Sequence, residues 1–221
     1  EYQDVFEQTY VNTLSGSVDG SVQFQEAING LEEFTTEFSD TRLSDQLKMI
    51  AKVIAVRAQL GISRQTFFVN YGGWDHHDGV LEKQSEKLPV LSQALAEFNS
   101  ALEEIGADTN VTTFTISDFG RTLTSNGNGS DHAWGGNAIV MGGGINGGEI
   151  YGEYPSLALE SEFMLRRGRV IPTTSSAEYI AELALWFGVS PSDVNDILPD
   201  LPNFFDTSTG NYPIGFMNPN A

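Results

Sequence analysis

Cysteine is absent from the sequence, which excludes disulfides, thiolate metal sites and a cysteine nucleophile. Any transition metal held by this chain must therefore rest on histidine and carboxylate ligands. Cations are scarce: eleven Lys and Arg stand against thirty Asp and Glu, giving a formal charge of −19. None lies before Arg42 or after Arg169. A field of that sign repels phosphate backbones and anionic lipid, so nucleic acid is excluded as an expected partner, as is docking on a membrane surface. Long hydrophobic runs are missing too. No stretch approaches the roughly 18 apolar residues of a spanning helix, so the chain does not read as an integral membrane protein. The opening Glu1-Tyr2-Gln3-Asp4 has neither the basic start nor the apolar stretch of a signal peptide. The acidity, with only four lysines, fits an exported or salt-exposed protein, and equally a protein kept soluble by negative charge.

What is present is enough apolar content, 40% of 221 residues, for one large domain with a real core. Residues 1–40 are polar and acidic and read as a helical lead-in of one or two surface helices. Leu43, Leu47, Ile50, Ile54 and Ala58 recur every three or four positions, an amphipathic helix stopped by Gly61. The run 65–71 (Gln-Thr-Phe-Phe-Val-Asn-Tyr) reads as a buried strand ending at Gly72-Gly73. Leu88, Leu91, Leu95, Phe98, Leu102 and Ile105 give a second helix, with Pro89 near its start and Gly106 past its end. Strands are expected at 111–116 and 138–141, separated by a turn-rich loop over 124–136. The tail adds a short extended piece at 169–172, a helix from Ser175 or Ser176 to Gly188, and a short helix within 191–198. Strand, helix, strand, loop, strand is the grammar of a mainly parallel α/β sheet, in which ligands bind beyond the carboxyl ends of the strands.

The chemistry-bearing residues gather in such positions. The first group is Gly72-Gly73-Trp74-Asp75-His76-His77-Asp78, the second Ser117-Asp118-Phe119-Gly120-Arg121-Thr122, the third Ser130-Asp131-His132-Ala133-Trp134-Gly135-Gly136. A lone aspartate after a strand is more often a turn or helix cap than a ligand, and a lone histidine is usually structural. The joint pattern carries more. All three histidines of the chain stand next to aspartates, in two turns rich in glycine and tryptophan. Carboxylate charge, neutral imidazole nitrogen and close backbone approach at glycine together suit a divalent metal, zinc first, with manganese or calcium as alternatives. Asp75, His76, His77, Asp118, Asp131 and His132 are the candidate ligands. Arg121 is the candidate catalytic residue, as a clamp on an anionic substrate group.

An ordered series of segments resembles the exported bacterial family called domain of unknown function 1501. It comprises residues 40–77, Ser117-Asp118-Phe119-Gly120-Arg121-Thr122, Asp131-His132-Ala133-Trp134-Gly135, Val140-Met141-Gly142-Gly143, Tyr151-Gly152-Glu153-Tyr154-Pro155 and Arg169-Val170-Ile171-Pro172-Thr173-Thr174. That family resembles the alkaline phosphatase and sulfatase superfamily, which implies a three-layer α/β/α fold around a mainly parallel sheet, with one or two divalent metals at its carboxyl edge. Export by the twin-arginine route to the periplasm or beyond is also implied. By the resemblance, Asp75, His77 and His132 would hold one metal and Asp118 would serve a second. The chain departs from the pattern at three places: His76 stands where Thr is usual, Asp118 where the family has Glu, and Phe119 where phosphatases and sulfatases carry His. Which of the two adjacent histidines faces the metal is left open by the first departure. The first strand, a Gly-Gly-x-Asp-Gly-type carboxylate and the hydroxyl nucleophile have no match here. The expectation is therefore that residues 1–221 form the carboxyl-terminal part of a larger α/β domain, completed by an amino-terminal portion or another protein chain.

Three functions follow as expectations. The first is a metal-dependent hydrolase of phosphate or sulfate esters, with a small anionic ester as substrate. The second is a non-catalytic exported protein serving as a structural or surface-assembly component. The third is a binder of small molecules or carbohydrates that stacks them on Trp74 and Trp134.

Overall fold

The computed structural model describes residues 4–158 and 160–218. The chain divides into two compact units, residues 1–71 with 90–107 and residues 72–89 with 108–221.

The first unit is helical. Helix α1 (Val5–Asn29) starts on Asp4, whose carboxylate accepts from the Phe6 amide 2.7 Å away. It buries only Ala27. Phe6, Tyr10, Leu14, Val18 and Val22, each four residues from the last, remain exposed along one stripe. No regular structure spans residues 30–41. Helix α2 (Arg42–Ala55) begins at Thr41, whose hydroxyl accepts from the Ser44 amide, and buries Leu43, Leu47, Ala51 and Ile54. Those positions are the three- and four-residue spacing read from the sequence. Helix α3 (Val80–Glu104) belongs to this unit from Val90 onward and buries Ala94, Phe98, Ala101 and Leu102. Pro89 lies inside α3, as its tenth residue, rather than near its first turn.

Two carboxylates of α3 tie down the irregular segment. Glu97 is buried and accepts from Ser39 N (3.1 Å), Ser44 Oγ (2.7 Å), Gln93 Nε2 (3.1 Å) and the Ser39 hydroxyl. Glu104 accepts from the Thr35 and Thr36 amides and the Thr36 hydroxyl at 2.7–2.9 Å.

The second unit carries all the strands of the described residues. They are β1 (Thr113–Phe114), β2 (Gly120–Arg121), β3 (His132–Ala133), β4 (Val140–Met141), β5 (Met164–Leu165) and β6 (Arg169–Val170). They form three antiparallel pairs: β1 with β4, β2 with β3, β5 with β6. The expected mainly parallel, three-layer α/β/α sheet is thus overturned. Strand–helix–strand order indicates which elements occur, but not the direction in which they pair, and every pair here is a two-residue antiparallel ribbon. The expected strand at 65–71 has no ladder partner among the described residues, and Phe67 and Phe68 are exposed. Its aromatic and β-branched content signals a surface that fits a sheet, and without a neighbouring strand that content forms none.

The tail follows the sequence more closely. Helix α4 (Ser176–Phe187) opens with a capping box between Ser175 and Glu178 and closes at Gly188, which adopts a left-handed conformation. Its Ala181 packs with Val194 of the short helix α5 (Val194–Ile197) and with Leu201. Leu183 packs with Phe216 and Met217. Between them Glu182 is fully buried, and its carboxylate accepts the amides of Ile214, Gly215 and Met217 at 2.6–2.8 Å. Such donors offset the cost of burying the carboxylate and fix the chain's return across α4.

The Glu104 carboxyl is held down to about 2 by the Thr35 amide first, with the Thr36 hydroxyl and amide adding to it. A depressed folded value means that its contribution to stability is complete above about 4.5, the ordinary value. It fades as pH falls through the window from about 4.5 to about 2. In an NMR titration the Thr35 and Thr36 amide shifts should move with a midpoint near 2. A midpoint near the ordinary glutamate value would show that these bonds are not held.

Candidate metal centre

Backbone bonds between loops, rather than a broad sheet, position this site. In the turn 74–78 the His76 amide donates to Trp74 O (2.9 Å) and the His77 amide to Asp75 O (3.1 Å). The neighbouring loop 124–131 is stitched to it: Ser130 N donates to His76 O (3.2 Å), Asn126 Nδ2 to His77 O (3.1 Å), and Val80 N to Asn128 O (3.3 Å). Gly129 makes this approach feasible. A Cβ there would fall 2.4 Å from His76 O and from the His77 carbonyl carbon. The β2–β3 ribbon then sets Arg121 opposite His132. Thr122 N bonds Asp131 O (2.9 Å), and Asp131 N returns to the Thr122 hydroxyl (3.0 Å).

Asp75 Oδ1 is the focus of the arrangement. His77 Nε2 lies 3.0 Å from it, His132 Nε2 2.8 Å and Arg121 Nη1 2.6 Å. Donor atoms of Asp75, His77 and His132 all fall within 4.8 Å of one another. The three side chains are each half-exposed. Rings stack to one side: Phe119 on His132 at 4.1 Å and nearly coplanar, and His132 on His77 at 5.0 Å. The His132 bond first, then the Arg121 bond and the charge of His77, hold the Asp75 carboxyl below the usual carboxylate range. It is therefore ionised at neutral pH and able to ligate a cation.

The donor set matches divalent-metal chemistry. Two imidazole nitrogens and one carboxylate oxygen suit zinc, whose ligand atoms in a tetrahedral site stand about 3.3 Å apart. The separations of 3.0 and 2.8 Å from Asp75 to the two histidines would open by a few tenths of an ångström, and the set as a whole, which spans up to 4.8 Å, would draw inward around an ion.

Of the six candidate ligands, the structure brings three together. His76 is turned away: its ring is buried, with Nε2 2.9 Å from Gly73 O. That answers which histidine faces the cluster, because consecutive side chains in the turn diverge and His77 takes the outward place. Asp118 is exposed at the bend before β2 and outside the cluster. Asp131 stands one step behind, its Oδ1 3.4 Å from His77 Nδ1 and 3.1 Å from Asn126 Nδ2. The Asn126 bond first, with Arg167 and His77, lowers its carboxyl from the usual value. Arg121 is engaged with the site itself, as Nε donates to Ser130 Oγ (3.0 Å), Nη2 to Ser130 O and Nη1 to Asp75. Sequence reasoning missed Asn126 and Arg167, which pairs with Asp131 Oδ2. The one available signal was Arg166-Arg167-Gly168-Arg169, a cationic cluster closing an acidic chain.

The match of a family model to residues 18–167 decides the chain's affiliation. The chain belongs to the family described as "Protein of unknown function (DUF1501)". All three clustered residues, Asp75, His77 and His132, lie within the DUF1501 match, as do Arg121, Asp131 and Arg167. No curated protein and no solved structure matches the chain significantly.

Because the Gly129 Cβ would meet backbone on the His76–His77 turn, Gly129→Ala should cost about 1–3 kcal/mol, the range for overpacking a close contact. Gly147→Ala, with nothing within 4 Å of its Cβ, should stay within about 0.5 kcal/mol of wild type. Urea unfolding of both variants checks this, and equal midpoints would show that the two loops are not packed as described.

Proposed function

We propose that this DUF1501 protein binds one divalent metal ion, zinc before manganese or calcium, through Asp75, His77 and His132, and uses it to hydrolyse phosphate or sulfate esters. The convergence of three ligand-type side chains within 4.8 Å carries the reading. Three protein ligands that leave a coordination position open are the pattern of a catalytic rather than a structural zinc site. When bound, the ion supplies positive charge to an anionic ester and acidity to a water molecule. The chain's own residues orient that chemistry. Arg121 donates to the same Asp75 Oδ1 that faces the histidines, Phe119 fixes the plane of the His132 ring, and the guanidinium of Arg121 adds cationic charge beside the site. In a chain of net charge −19, an anionic substrate needs such a local concentration of positive charge. Export to the periplasm or cell exterior is part of the same proposal, as is a partner segment that supplies the nucleophile.

A second reading, a non-catalytic exported component of a surface assembly, draws on one observation. Asp75 is already bonded by Arg121 and His132, with His77 3.0 Å away, so the cluster is also intelligible as a structural knot without metal.

His132→Ala should lower zinc affinity at least a hundredfold and reduce ester hydrolysis by the full protein on the order of a thousandfold. Glu149→Gln, which removes an exposed carboxylate elsewhere, should alter neither. Calorimetric zinc titration with phosphate- and sulfate-ester assays decides it. Equal zinc binding by His132→Ala and wild type removes the metal site, and tight binding without turnover favours the structural reading.

A further inference from the structure

We infer that Asp131 and Arg167 form a positioning pair that holds the His77 ring with Nε2 toward Asp75 and the metal, so that Asp131 is not itself a ligand. The inference rests on the metal reading above and adds residues that act through His77.

The His77 ring lies between two carboxylates. Nε2 is 3.0 Å from Asp75 Oδ1, and Nδ1 is 3.4 Å from Asp131 Oδ1. A neutral imidazole carries one N–H and one lone pair, whereas an ionised carboxylate only accepts. A proton on Nδ1 directed at Asp131 therefore leaves the Nε2 lone pair for a cation at Asp75. With a cation between Nε2 and Asp75, the opposite tautomer would place two lone pairs, Nδ1 and Asp131 Oδ1, against each other; without one, the nearer Asp75 Oδ1 at 3.0 Å competes for the same proton. Carboxylates that accept from the remote nitrogen of a ligating histidine are the usual means of fixing its orientation.

Asp131 is itself immobilised. Its amide and carbonyl are both bonded to Thr122, Oδ1 also accepts from Asn126 Nδ2 at 3.1 Å, and Oδ2 accepts from Arg167 Nη2. Two oxygens thus serve three side chains, which leaves the group poorly placed to turn toward the metal.

Arg167 supplies the independent observation. With φ at 70°, it is the one non-glycine residue among the described residues in the left-handed region. A bulky side chain there is strained, and strain of this kind collects where a side chain must be aimed. It lies in the turn between β5 and β6, followed by Gly168, whose missing Cβ would meet Thr124 N at 2.6 Å. Gly168 O accepts from Leu123 N at 2.8 Å. The hairpin is thereby pressed on the strand that leads into the 124–131 loop, with the Arg167 guanidinium on Asp131. Glycine at position 167 would relax the turn, so the arginine is retained against local backbone preference.

The test uses the full chain in three forms: wild type, Asp131→Ala and Arg167→Gly, with Arg167→Lys as the conservative rescue. Long-range proton–nitrogen NMR of the zinc-loaded proteins reads which His77 nitrogen keeps its proton, and zinc titration reads affinity. We expect wild type to hold the proton on Nδ1. Asp131→Ala should show a tautomer mixture and about 10–100-fold weaker zinc binding, the range for loss of a residue behind a metal ligand. Arg167→Gly should show the same change to a smaller degree, about tenfold, while unfolding no earlier than wild type. Arg167→Lys should recover part of it. If both variants keep the wild-type tautomer, the pair is overturned, whether or not zinc affinity falls. If wild type binds no zinc, the metal reading fails and the inference falls with it, an outcome distinct from zinc binding with an unmoved tautomer, which overturns the pair alone. Should Asp131→Ala not fold, Arg167→Gly carries the test alone, because removing the strained side chain relieves the turn.

Discussion

A single carboxylate oxygen, Asp75 Oδ1, organises the site. It accepts from Arg121 and bonds His132 Nε2, with His77 Nε2 3.0 Å away; the three reach it from β2, from β3 and from the 74–78 turn. Without Asp75 two imidazoles and a guanidinium would face one another with no counter-charge, and the ring stack of Phe119, His132 and His77 would lose its anchor. The same oxygen is a natural ligand for a cation that takes the place of the N–H donors. A metal-ready cluster and a self-satisfied polar cluster thus use the same atoms, and the open solvent side of these half-exposed groups lets one convert to the other.

How the three residues are brought together follows from the absence of a broad sheet. Each strand pair is two residues long, too short to impose geometry on side chains by itself. Precision comes instead from backbone bonds between irregular segments and from glycines that permit close approach. Gly129 presses against the His76–His77 turn and Gly168 against residues 123–124. Fixing a loop in this way costs conformational entropy, and the density of bonds around Asp131 and Ser130 offsets it. The first unit uses the same device without chemistry: Glu97 and Glu104 gather the amides and hydroxyls of residues 35–44 onto α3.

The helices were legible because periodic burial and caps are local signals. Leu43, Leu47 and Ile54 of α2 face inward as their spacing requires, and Ser175 and Gly188 bound α4 by side-chain chemistry present in the sequence. The pairing of all three histidines with aspartates was legible as a pattern of rare residues, and the trio Asp75, His77 and His132 came from the family resemblance. What failed was long-range. A run such as 65–71 has strand composition whether or not a partner strand exists, and nothing local distinguishes parallel from antiparallel pairing. His76 and His77 are equivalent in composition, and only the turn geometry buries one and presents the other. Asp118 and Asp131 each neighbour a key residue in sequence, but the folded loops decide their places: Asp131 stands behind His77 and Asp118 lies outside the cluster. Arg167 stood in the sequence only as one of three clustered arginines, and what distinguishes it from Arg166 and Arg169 is a backbone angle.

X-ray absorption spectroscopy of the zinc-loaded full protein tests the central claim most directly, since it counts and identifies the atoms around the ion. The account predicts two imidazole nitrogens at about 2.0–2.1 Å with one carboxylate oxygen and one further light atom, and loss of one imidazole contribution in His77→Ala. A first sphere of oxygen alone, or one unchanged by His77→Ala, would contradict it.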